Sequence, residues 1–157
     1  MERSSFTYVI KQLELALRPH FDGLCAAVGM TPAQLTALTV LQRRPGITSS
    51  DLARRSFVRA QTMAATVEPM LEAGLLRREK DPTHARRMLL YLTDKGAEVA
   101  ATLAPGVDQI EEIIVRGFTD EERDEFARLL RRARNSMHEA VAQRASPPTP
   151  PLPPVVE

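Results

Sequence analysis

Val9, Leu13, Leu15, Leu17, Phe21, Leu24 and Val28 recur at helical spacing, a broad apolar stripe that predicts one amphipathic helix over residues 5–28. Gly29 stands where a helix stops. Thr31-Pro32-Ala33-Gln34 then carries a complete start signal. Thr31 is placed to cap, Pro32 falls where its missing N–H costs nothing, and Gln34 completes a capping box. The second helix, with Leu35, Leu38, Val40 and Leu41 as its apolar positions, should stop near Arg43–Arg44, before Pro45-Gly46.

Two short helices follow. Thr48 caps one from Ser50 to about Arg55, after a brief strand-like Ile47. A break at Ser56–Val58 leads to another over 60–73, with Val67, Met70 and Leu71 inward and Gly74 at its end. Consecutive helices with so tight a break form a helix-turn-helix pattern. Residues 75–80 and 88–92 read as two strands around the polar, turn-rich segment 81–85, a hairpin with a loose tip. Thr93 caps a helix to about Arg116, with a kink expected at Pro105-Gly106. Thr119-Asp120-Glu121-Glu122 opens the last helix, to about Gln143.

Beyond Ala145, the segment SPPTPPLPPVVE holds six of the twelve prolines and suits neither helix nor central strand. It reads as a disordered or polyproline-like tail, or as one docked through Leu152, Val155 and Val156. No apolar run approaches the roughly 20 residues that span a bilayer, and the N-terminus lacks a signal-peptide core. A cytoplasmic location is the expectation. The single cysteine agrees, since it can form no intrachain disulfide. Aromatics make up only 4% of the chain, and its Leu, Ala and Val content favours helices over a large sheet.

The net charge of +1 hides an asymmetry: +2 over residues 1–50, +3 over 51–90 and −4 over 91–157. Seven of the eight cations in 51–90 are arginine, whose planar fork suits phosphate and guanine. A solvated helix face would account for so small an excess equally well.

The ordered set MTPAQLTALTVL (30–41), GITSSDLARR (46–55), VRAQTMAATVEPMLEAGLLRR (58–78), DPTHARRMLLYLTDKG (81–96) and FTDEERDEFARLLRR (118–132) resembles the multiple-antibiotic-resistance regulator (MarR) family over residues 5–144. The resemblance implies a mainly α fold with a small β-hairpin wing. Residues 1–30 would be an N-terminal dimerisation helix, 31–93 a winged helix-turn-helix DNA-binding lobe, 94–144 C-terminal dimerisation helices and 145–157 a tail. It further implies a homodimer held by its first and last helices. The apolar residues Ile110, Ile113, Ile114, Phe126, Leu129 and Leu130 agree, being more than a small lobe can bury. A two-fold dimer spaces its readers by about 34–36 Å and so expects a palindromic operator.

Within the lobe, Arg59, Gln61 and Thr62 are the expected base readers, with Ala65 or Thr66 near a thymine methyl. Thr48, Ser49, Arg54 and Arg55 are assigned to phosphates, with an ion pair to Asp51 or Glu68 as the rival role for Arg54. Relatives carry Asp-x-Arg in the wing, where this chain has His84-Ala85-Arg86. Arg86 is expected in the minor groove and Arg87 on phosphate, with Asp81 a substitute brace or the wing left more mobile. Pro69 should bend the recognition helix near Ala65.

Relatives are often released from DNA by small aromatic acids or phenolics, for which Arg18, His20 and Phe21 are candidate contacts. Surface positions for Arg18 and His20, with Phe21 in the core, are the alternative. A thiol-sensing role for Cys25 is a second regulatory reading, set against a small buried cysteine. A winged-helix module for protein contacts is a third reading, against which the Arg residues at 54, 55, 59, 86 and 87 stand. No enzyme signature appears: His20, His84 and His138 are scattered, no metal-ligand spacing occurs, and neither a phosphate loop nor a nucleophile elbow is present. No cofactor or metal is expected.

Overall fold

In the computed structural model, which describes residues 5–145, the chain runs α1 (Phe6–Ala26), α2 (Pro32–Arg43), α3 (Ser49–Arg55), α4 (Ala60–Glu72), β1 (Leu76–Lys80), β2 (Met88–Leu92), α5 (Asp94–Ile114) and α6 (Asp120–Ala145). The proline-rich segment after Ala145 lies outside the described residues. Among those described, no helix is long and apolar enough to cross a membrane. The fold is mainly helical with a two-stranded antiparallel hairpin, the winged helix-turn-helix arrangement.

The helix starts follow local chemistry. Thr31 Oγ1 accepts the Gln34 amide while Gln34 Oε1 accepts the Thr31 amide, at 3.2 and 3.0 Å. Thr119 and Glu122 repeat the exchange at 3.2 and 2.9 Å. Such caps contribute about 1 kcal/mol each. The stops follow too, with Gly29, Gly46, Gly74 and Gly117 all at positive φ. Helix α5 ends at Ile114, two residues before the expected Arg116, and is assigned as one helix through Pro105. Pro19 likewise sits inside α1, a position the stripe-based reading passed over.

Residues up to Ile114 form one unit, and those from Val115 onward a second. In the first, Leu38, Leu41, Leu52, Met63, Val67, Met70, Leu76 and Leu90 make the principal core. Cys25, Leu35 and Leu103 make a smaller one, packed with Phe21 and Leu24. Met30 and Val99 touch both clusters. In the second unit, the Phe118 and Phe126 rings meet edge to face at 5.6 Å.

Two glycines mark where backbone must come close. Gly46 has φ +76, and a Cβ there would lie 2.8 Å from the Tyr91 hydroxyl. A Cβ on Gly96 would lie 2.1 Å from the Leu75 carbonyl oxygen. That second obstacle is main chain, which cannot swing away. Gly96→Ala should therefore lower stability by about 1–3 kcal/mol, the usual cost of forcing atoms into a packed site, read as a lower urea midpoint at unchanged slope.

Candidate nucleic-acid interface

The helix-turn-helix begins at Thr48, whose Oγ1 accepts the Asp51 amide and donates to Asp51 Oδ2, both at 3.1 Å. Its hydroxyl is thus committed to starting α3. The turn after α3 is closed by Ser56 N donating to Leu52 O at 2.9 Å and Val58 N to Ala53 O at 3.1 Å. Phe57 lies between them at φ 57, the left-handed region, which costs a side-chain-bearing residue roughly 1–2 kcal/mol. Its side chain is exposed, and the backbone bonds on either side of it close the turn. Sequence patterning located this break but not its sign of φ, because glycine is the residue that normally announces it.

Helix α4 buries Met63, Val67 and Met70, spaced i, i+4, i+7, and so turns the opposite face outward. Gln61, Thr62 and Ala65 are exposed on it, with Arg59 just ahead as the N-cap residue. Arg59 offers no side-chain cap to α4, so its guanidinium is not spent on the helix. Thr66 differs from its neighbours: it is half-buried, and its hydroxyl donates to the Thr62 carbonyl at 2.8 Å. Helix α4 remains continuous through Pro69, from Ala60 to Glu72. Pro69 is exposed, so the Ala65 carbonyl that loses its amide donor lies on the open face.

Helix α4 carries no lysine or arginine, and its two charges are Glu68 and Glu72. Cations frame it instead. Arg54 pairs with Asp51 at 2.6 Å yet remains 73% exposed, so the rival role foreseen for it is realised while the guanidinium still faces solvent. Arg55 is exposed and makes no ion pair among the described residues. Ser49 is half-buried in the first turn of α3.

In the hairpin, Leu76 pairs with Leu92 and Arg78 with Leu90, and Leu90 also bridges to Ile47. The two strand arginines are both engaged. Arg77 lies over the Tyr91 ring at 4.6 Å and pairs with Glu79, while Arg78 pairs with Glu68 of α4. Strand alternation in LRREK sends these neighbours to opposite faces, a signal that the charge count alone did not use.

The tip is closed by Asp81 N to Arg87 O and Arg87 N to His84 O, both at 2.9 Å. Asp81 Oδ1 accepts the Thr83 amide at 2.8 Å and its hydroxyl at 2.7 Å. Asp81 is therefore not the substitute brace of Arg86: its carboxylate is bonded to the Thr83 amide and hydroxyl instead. Arg86 is exposed at the apex, and Arg87 beside it is exposed as well.

On α1, Arg18 is exposed and held by Glu14 at 2.5 Å. His20 is exposed, and Phe21 packs against the smaller core. The Arg18–Glu14 hydrogen bond lowers the Glu14 carboxyl and raises the Arg18 guanidinium from their ordinary values. Cys25 is fully buried, and burial, with Asp22 nearby, pushes its thiol up. This is the condition of an unreactive cysteine, opposite to what thiol sensing needs.

Residues 28–87 match the sequence profile of the MarR family. A putative transcriptional regulatory protein for the hcr operon of Thauera aromatica is 30% identical over 74% of this chain and 70% of its own length. The chain belongs to the MarR family. The crystal structure of MarR superposes with a TM-score of 0.74 at 28% identity, covering 92% of this chain and 96% of that one. The transcriptional repressor CouR, solved bound to a 23-mer DNA duplex, gives 0.72 at 25% identity over 82% and 92% of the two chains. The relatives are transcriptional regulators, and the MarR membership makes this chain a DNA-binding transcriptional regulator too.

The Thr83 hydroxyl and amide hold the Asp81 carboxyl below the usual aspartate range. A lowered native pKa means the tip contact is complete above the unfolded pKa and is lost as pH falls through the native one. The Thr83 amide proton shift should therefore titrate below the ordinary Asp midpoint. In Asp81→Ala that step should vanish and the Thr83 amide should exchange faster.

Proposed function

We propose that this MarR-family chain is a dimeric, sequence-specific repressor of a palindromic operator, acting in the cytoplasm and released by a small aromatic or phenolic acid. The observation that carries the reading is the outward face of α4. Arg59, Gln61, Thr62 and Ala65 stand open together at its start, framed by Arg54 and Arg55 behind and Arg86 at the wing apex.

In this reading the lobe is 31–93. Arg59 reads guanine and Gln61 reads adenine through paired hydrogen bonds, while the Ala65 methyl meets a thymine methyl. Thr62 adds a hydroxyl contact to either kind of base. Thr66, turned partly inward, contributes at most its methyl. Arg54, Arg55 and Arg87 hold phosphates, as do Ser49 and the backbone about Thr48, and Arg86 enters the minor groove. The solved complex of CouR with DNA supports the assignment of duplex DNA as the partner. The family resemblance supports release by an aromatic acid, with Arg18, His20 and Phe21 of α1 nearest to such a ligand.

The test is selection from a random duplex library with the purified protein, followed by anisotropy on the winning duplex. Arg59→Ala should cost about 1–3 kcal/mol and relax the preference at one position of each half-site. Arg55→Ala should weaken all duplexes alike and reduce the salt slope by about 1. Salicylate, as a simple aromatic acid, should lower affinity for the selected duplex. If selection at low salt returns no sequence bound better than a scrambled one, the repressor reading is wrong. Failure of salicylate and related acids to shift binding removes the effector from it.

The dimer assignment rests on apolar surface. Phe6, Val9, Ile10 and Leu13 are exposed along one side of α1, as are Leu129, Leu130, Met137 and Val141 in α6. The segments 1–30 and 94–144 accordingly act as dimerisation parts. Light scattering should give twice the 17.4 kDa chain mass, and Ile10→Glu should shift it toward one chain mass.

A further inference from the structure

Three successive carbonyls at the end of the recognition helix are held by the start of α5. Ala73 O accepts Lys95 Nζ at 2.8 Å. Gly74 O accepts the Thr93 hydroxyl at 2.5 Å. Leu75 O accepts the Thr93 amide at 3.0 Å. Thr93 Oγ1 has a second duty, accepting the Gly96 amide at 3.1 Å to cap α5. One hydroxyl thus donates to the end of one helix and accepts from the start of the next. The absence of a side chain at Gly96 lets the two ends come this close, since a Cβ there would run into the Leu75 carbonyl oxygen.

We infer that Thr93 and Lys95 are positioning residues for sequence reading: they couple the orientation of α4 to α5 without touching DNA. This inference rests on the DNA-reading assignment above.

The mechanical argument runs through α5. One turn beyond Lys95, Val99 packs against both apolar clusters, so the start of α5 is seated in the body of the lobe. Rotation of α4 about its own axis would strain the Thr93 hydroxyl bond, because only the C-cap Ala73 separates Gly74 from the helix. The Lys95 ammonium also offsets the partial negative charge of the α4 carbonyl end, a contact a neutral side chain cannot supply. The cations assigned to phosphates lie elsewhere, on α3 and in the wing. A loosened joint should therefore harm recognition of sequence and spare the sequence-independent hold.

The test compares wild type, Thr93→Val, Thr93→Ser and Lys95→Met by anisotropy on the duplex selected from a random library and on a scrambled duplex, across a salt series. Hydrogen exchange at Gly74 and Leu75 is measured without DNA. Thr93→Val should lose about tenfold or more on the selected duplex, comparable to one misplaced paired base contact. Its binding to the scrambled duplex and its salt slope should stay as in wild type. Its Gly74 and Leu75 amides should exchange faster, and Thr93→Ser should restore both properties. Lys95→Met, an exposed change that keeps folding intact should Thr93→Val not fold, should lose affinity for the selected duplex at unchanged slope.

Equal loss on both duplexes, or wild-type binding by Thr93→Val, overturns the inference. So does a salt slope reduced by about 1 in Lys95→Met, which would place that ammonium on a phosphate. If wild type itself does not distinguish the two duplexes, the repressor reading fails instead. The exchange rates then decide the joint alone, and unchanged rates in Thr93→Val overturn it.

Discussion

The rotation of α4 about its axis is the constraint on which the lobe turns. Met63, Val67 and Met70 fix it by packing among Leu38, Leu41, Leu52 and Leu90. Each such side chain contributes roughly 1.5–3 kcal/mol by leaving water. Because successive residues are about 100° apart, a slip of one position would bury Ala64 and Glu68 in place of Met63 and Val67. The apolar stripe therefore selects which residues face outward, and Gln61 and Ala65 are exposed because they lie opposite it. Stability of the lobe and orientation of its outward face are the same physical fact.

The hairpin depends on that packing as well. Leu90 is the member of β2 that enters the core, and its backbone bridge to Ile47 ties the α2–α3 connection to the sheet. With Leu90 seated, register sends Arg78 toward α4 and leaves Arg77 over Tyr91 on the other face. The wing's outer end has no such support from the core. Its order comes from the Asp81–Thr83 turn and the backbone bonds of Arg87.

Sequence revealed the features whose causes are local. Thr31 with Gln34, Thr48, and Thr119 with Glu122 cap helices because a side-chain oxygen lies three residues from the amide it accepts, and that spacing is visible in one dimension. The spacing of Val67, Met70 and Leu71 likewise announces a face, to which the structure adds Met63. What remained hidden depends on distances across the fold. Nothing in the order of residues says that Glu68 finds Arg78, that Lys95 reaches Ala73, or that Asp81 turns to Thr83 instead of Arg86. Thr66 read as one more outward residue until its hydroxyl was found bonded to Thr62. Phe57 shows the opposite limit: the local rule names glycine for a left-handed turn, and this chain places a phenylalanine there.

The absence of any cation within α4 has a kinetic consequence. On the proposed reading, the side chains that grip phosphates belong to the flanks, while the helix that enters the groove carries two carboxylates, Glu68 already neutralised by Arg78. Holding DNA and inspecting it are then separate acts with separate energies. A protein so divided can diffuse along a duplex on its flanking arginines with α4 lightly engaged. It stops only where the bases opposite Arg59 and Gln61 compensate for bringing the remaining carboxylate, Glu72, closer to the phosphates. The feature that makes the helix look poorly suited to DNA thereby shortens the time spent on wrong sequence.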